Sequence, residues 1–115
     1  MASTWERYRL WLEHPCFDAA TQAELAGLKD QPGEIEDRFY RDLDFGTGGL
    51  RGVIGAGTNR MNRYVIRQAA RGLAVYVSAF GLEAKRKGVV IAHDSRRFSP
   101  QFAREAALTL AAAGV

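Results

Sequence analysis

Apolar residues in the first forty-odd positions recur at three- and four-residue steps, the spacing of one helix face. Ser3 with Glu6 three residues on is a capping-box pattern, and Trp5, Tyr8, Trp11 and Leu12 follow at helical spacing. Pro15 ends this first helix, because the residue before a proline avoids the α region. Asp18 caps a second helix through Leu25 and Leu28. Pro32-Gly33 breaks the chain, and a third helix carries Ile35, Phe39 and Leu43 on one face. The stripe Trp5-Tyr8-Trp11 suits a core, with a partner-binding surface as the other reading.

The pattern then changes. Six of the 17 residues in 46–62 are glycine, half of the chain's 12. Such a loop can reach φ > 0 and lets backbone approach a ligand closely. Asn62 caps a long helix with Ile66, Ala70, Leu73, Val77 and Phe80 along one side, Gly81 stops it, and Glu83 to Lys87 is a charged connection. Residues 88–94, Gly-Val-Val-Ile-Ala-His-Asp, are a short β-branched apolar run, which predicts a buried parallel strand. Ser99 caps a last helix with Pro100 at its first position, Phe102, Ala106, Leu110 and Ala113 facing inward, and Gly114 as C-cap. Helix, strand and helix, with Val115 at the start of another strand, predict an α/β unit that continues beyond this chain.

Composition narrows the class. The 115 residues are 47% hydrophobic and 25% charged with a net charge of +3, which fits a globular domain and excludes a disordered tail. The longest unbroken apolar run, residues 73–77, falls far short of a membrane span, and the charged N-terminus is no signal peptide. The single cysteine, Cys16, forms no internal disulfide and fits a reducing, cytoplasmic compartment. It reads as a small apolar residue without a role.

The glycine loop holds the strongest chemical signal. Gly52 to Gly57 has Walker A glycine spacing, but Thr58 stands where lysine is required, and Arg51 spoils a dinucleotide fingerprint starting at Gly46. What remains is Arg51 among backbone N–H groups, a combination that holds phosphate; a structural turn is the alternative. Asp94 and Arg96 sit at the C-terminal end of the strand, where open sheets bind ligands, and an Asp–Arg turn explains them equally. His93 beside them suits a structural role. Two histidines and one cysteine without paired spacing make no metal cluster. Arg63, Arg67 and Arg71 lie four apart on one helix, with Arg60 nearby. That stripe suits a solvated face or, alternatively, a nucleic-acid contact.

Phe45-Gly-Thr-Gly-Gly-Leu-Arg-Gly52, continuing to Asn62, resembles the start of the α-D-phosphohexomutase superfamily, nearest its bacterial phosphoglucomutase/phosphomannomutase group. Residues 89–100, Val-Val-Ile-Ala-His-Asp-Ser-Arg-Arg-Phe-Ser-Pro, resemble that superfamily's strand, Asp-x-Arg turn and Ser-capped helix, and Glu36 to Tyr40 resembles its helical leader. The resemblance implies an α/β fold: a helical N-terminal extension over 1–42, then the first part of α/β/α domain I over 43–115, incomplete within this chain. It implies an isomerase that moves a phosphoryl group on a hexose phosphate, glucose 1-phosphate to glucose 6-phosphate, through a phosphoserine and glucose 1,6-bisphosphate, with Mg²⁺. Arg51 matches the arginine that contacts phosphate beside the phosphoserine. Thr47 and Gly48 match positions shaping that pocket, and Asp94 and Arg96 match a structural turn.

The implied partners are the sugar phosphate and the enzyme's remaining domains, with neither nucleic acid nor membrane. The family's Thr-x-Ser-His-Asn-Pro segment is missing from this sequence, and Ser95 and Ser99 do not stand in its context. The nucleophile and the metal ligands are therefore expected beyond Val115, no metal ligand is assigned here, and the chain alone is expected to be inactive. A stand-alone phosphate- or sugar-phosphate-binding module, and a basic nucleic-acid-binding domain, are the alternatives.

Overall fold

The computed structural model describes residues 3–46 and 49–115. They fall into two units, divided after Asn62.

In the first unit, Ser3 and Glu6 form the expected capping box at the head of α1 (Thr4–Glu13). Asp18 accepts from the Thr21 N–H to cap α2 (Ala19–Ala26). The third helix, α3 (Pro32–Phe39), starts on Pro32 instead of after Pro32-Gly33. A proline is tolerated there because the first-turn N–H has no intrahelical partner anyway. Leu43 lies beyond the end of α3, contrary to the predicted face. The Arg38 carbonyl accepts the Asn59 N–H at 2.9 Å, and the Arg41 carbonyl accepts the Thr58 hydroxyl at 2.7 Å. The glycine loop thus occupies acceptors that a further helical turn would need.

Tyr8, Trp11, Leu25, Ile35 and Phe39 are the buried core of the three helices. Tyr8 and Trp11 both meet the Phe39 ring edge-on. The aromatic stripe is therefore core at two of its three positions, with Trp5 half-exposed. After α3 come β1 (Phe45–Gly46) and β2 (Gly49–Leu50), an antiparallel pair.

The second unit pairs α4 (Arg63–Ser78) with α6 (Ser99–Ala112). Ala70, Ala74 and Leu110 are buried between them, with Ala106, Ala113 and Val115 packed alongside. Small side chains let the two helices approach closely, so Ala74, not Leu73, faces inward. Of the predicted inner face Ala70 is buried as expected, whereas Leu73 is exposed and Phe80 lies exposed beyond the end of α4. Residues 83–87 are not a plain connection but belong to a short helix, α5 (Leu82–Lys87). Its alanine, glutamate, lysine and arginine are good helix formers. Ser99 is the first residue of α6, not its cap; Phe98 holds that place at φ 66°, and the Ser99 hydroxyl accepts from the Asp94 N–H at 3.2 Å.

The predicted parallel strand does not form. Among the described residues 88–94 pair with no strand, and Val90 is 96% exposed. The apolar run supplies strand propensity, but a strand also needs a hydrogen-bonded neighbour. The described residues consequently do not assemble the expected α/β/α layering.

Candidate functional site

The glycine-rich segment has two parts with different surroundings. Its first part is the β1–β2 hairpin, which delivers the chain directly to Arg51. Thr47 and Gly48 lie outside the described residues. The Arg51 side chain is exposed, and no ion-pair partner for it occurs among the described residues. A guanidinium in that setting is available to an oxyanion.

The second part, residues 53–62, is folded tightly on itself and on α3. The Met61 N–H donates to the Val53 carbonyl at 2.8 Å, and the Gly55 N–H to the Met61 carbonyl at 3.1 Å. The Asn62 amide donates to the carbonyls of Gly55 and Gly57, both at 2.9 Å. Gly57 has φ 130°, and a Cβ there would stand 2.8 Å from the Arg38 carbonyl oxygen. The residue is glycine because both the backbone angle and the contact exclude a side chain.

Ion pairs fasten this part of the loop to the helices. Arg38, with its side chain 15% exposed, donates to Glu34 at 2.9 Å, to Glu24 at 2.5 Å and to the Ala56 carbonyl at 3.1 Å. Glu24 also accepts the Ala56 N–H at 2.9 Å. Partial burial works against the Glu24 anion, but the Ala56 N–H and the Arg38 guanidinium outweigh it and hold the carboxyl below its ordinary value. Arg60 is buried and pairs with Asp37, with Glu34 3.6 Å away. It therefore does not extend the arginine stripe as the sequence suggested. Neither Glu24 nor Arg38 stood out in the sequence. Their partner Ala56 lies 32 and 18 residues away, and only the Glu34–Arg38 spacing of four gave a local sign.

Asp94 and Arg96 lie in the second unit. The Asp94 carboxylate accepts the Arg96 N–H at 3.0 Å and its side chain at 2.6 Å. Those two bonds, the backbone one foremost, hold the Asp94 carboxyl below its ordinary value. His93 contacts the Asp94 carbonyl through Nδ1. In the arginine stripe, Arg67 is bonded to Glu105 at 2.8 Å, and both Arg63 and Arg67 lie over the Tyr64 ring. These contacts reduce the charge the stripe offers to a polyanion. Among the described residues, no three His, Cys, Asp or Glu side chains come together to hold a metal ion, and no helix is long and apolar enough to cross a membrane.

Comparison with known proteins gives a consistent answer. The family model described as phosphoglucomutase/phosphomannomutase, alpha/beta/alpha domain I, matches residues 42–115. Phosphoglucomutases of Staphylococcus aureus strains USA300, NCTC 8325 and bovine RF122 / ET3-1 are each 36% identical over 104 residues. Each match covers 89% of this chain and 17% of the relative, so the chain spans only a small part of the curated relatives it matches. No solved structure matches the chain.

Proposed function

Since the chain belongs to the phosphoglucomutase/phosphomannomutase family through its α/β/α domain I, we propose that it serves as the N-terminal part of a phosphohexomutase. The observation that carries this is Arg51, an exposed guanidinium set directly after a glycine hairpin whose neighbouring loop is firmly anchored. In this reading the complete enzyme is a cytoplasmic isomerase of carbohydrate metabolism. It converts glucose 1-phosphate to glucose 6-phosphate by intramolecular phosphoryl transfer through a phosphoserine. Glucose 1,6-bisphosphate is the intermediate and activator.

Such transfer depends on positioning and on neutralising phosphate charge. Arg51 supplies a charged, two-pronged hydrogen bond to phosphate, and Thr47 and Gly48 shape the pocket around it. Asp94 and Arg96 fix a turn and take no part in the chemistry. Mg²⁺ would supply further charge neutralisation when bound to the complete enzyme; the described residues bring together no carboxylate or histidine cluster that fits it, and in this reading its ligands lie in the remaining domains. Those domains and the sugar phosphate are the partners of this chain.

The test is a mutase assay on the complete enzyme and on the 115-residue chain. The enzyme is expected to interconvert the two glucose phosphates, and the chain alone to convert neither. An enzyme without mutase activity contradicts the family function for this protein; conversion by the chain alone contradicts the division of labour.

A further inference from the structure

Glu24 and Arg38 hold both backbone polar groups of one residue in the glycine loop, Ala56. The Ala56 N–H goes to Glu24 and the Ala56 carbonyl to Arg38, while the two side chains bind each other. The Asn62 amide binds the carbonyls on either side, those of Gly55 and Gly57. Three consecutive carbonyls are thereby fixed. From there the bonded restraint runs back to Val53, and a packing contact at Gly52 follows it. Gly55 is bonded to Met61, and Met61 is bonded to Val53, two residues after Arg51. Between Val53 and Arg51, Gly52 lies against Leu43 so closely that a Cβ would come within 2.7 Å of its Cδ1. Leu43 is in turn tied through its N–H to the Thr58 carbonyl at 2.9 Å.

We infer that Glu24 and Arg38 are positioning residues for Arg51: their clamp on Ala56 sets where the Arg51 guanidinium stands. The inference rests on the reading of Arg51 as a phosphate contact. Neither residue touches the phosphate. An arginine on an otherwise pliable glycine segment binds phosphate well only if its backbone is held, because a misplacement of about 1 Å costs up to about a hundredfold in rate. The helical leader thus has a second use besides its own core.

The experiment is a double-mutant cycle on kcat/KM for glucose 1-phosphate in the complete enzyme, with Arg51→Ala, Glu24→Ala and the double variant. Glu24→Ala is expected to lower kcat/KM roughly tenfold when Arg51 is present and to add almost nothing when it is absent. Equal losses in both backgrounds overturn the inference, because a merely structural role is blind to Arg51. Glu24→Gln keeps an acceptor for the Ala56 N–H and is expected to recover most of the lost kcat/KM; a glutamine no better than alanine also overturns the clamp. If Glu24→Ala does not fold, Glu24→Asp carries the same cycle. Wild-type kcat/KM in Arg51→Ala has a different signature: it removes the phosphate role itself, and the positioning role with it.

Discussion

Gly57 shows how one position can couple two elements. At φ 130° and with the Arg38 carbonyl 2.8 Å from where a Cβ would stand, Gly57→Ala is expected to cost roughly 1–3 kcal/mol of stability. Urea denaturation measures it, and a loss within about 0.5 kcal/mol, as at an ordinary surface site, contradicts the packing described. Glu24 adds a pH dependence. Its folded carboxyl is held below the ordinary value, so its contribution is fully present above the unfolded value and fades as pH falls through the lowered one. Stability measured from neutral pH into the acid range is expected to fall less steeply in Glu24→Gln than in wild type. Parallel profiles contradict the clamp's ionic character. Because Glu24 is partly exposed, the difference is a small one. The sequence marked Arg51 by its glycine neighbours, but gave no sign of Glu24, because the Ala56 contact spans 32 residues.

Short-range signals account for which elements were legible. The caps of α1 and α2 involve residues three apart, and both form as the sequence implies. Ser3→Ala is expected to cost about 1 kcal/mol by leaving the Glu6 N–H without its acceptor. Tyr8→Phe is expected to cost about 1–3 kcal/mol, because the buried hydroxyl donates to the Leu25 carbonyl at 2.7 Å. Thermal or chemical denaturation checks both; an unchanged midpoint in Tyr8→Phe contradicts the bond's contribution. The elements that departed from expectation depend on distant partners. The end of α3 is decided by Thr58 and Asn59 across the loop. Residues 88–94 carry the composition of a strand, yet sequence composition cannot provide the neighbouring ladder that makes one. On α4, helical periodicity identified an apolar helix and its buried Ala70, but it put Leu73 inside where the neighbouring Ala74 packs against α6.

At the scale of the molecule, the second unit leaves much apolar surface in solvent. Tyr76 on α4 and Phe80 just beyond its end are exposed and pack edge to face, and Leu82 and Val90 are exposed as well. Exposed apolar surface of this kind favours association. The 115-residue chain is expected to self-associate as its concentration rises, and Val90→Lys to weaken that association. Sedimentation equilibrium reads both, and a monomer at all concentrations contradicts the expectation. Family membership itself was legible in the glycine segment and in residues 89–100, both of which lie within the matched residues 42–115, although the described residues do not form the implied sheet. The central claim is that this chain contributes the phosphate-binding Arg51 to a phosphohexomutase, and the most direct measurement is kcat/KM of Arg51→Ala in the complete enzyme. Loss of a charged hydrogen bond worth roughly 1.5–3 kcal/mol corresponds to a fall of about ten- to more than a hundredfold. A kcat/KM indistinguishable from wild type contradicts the claim.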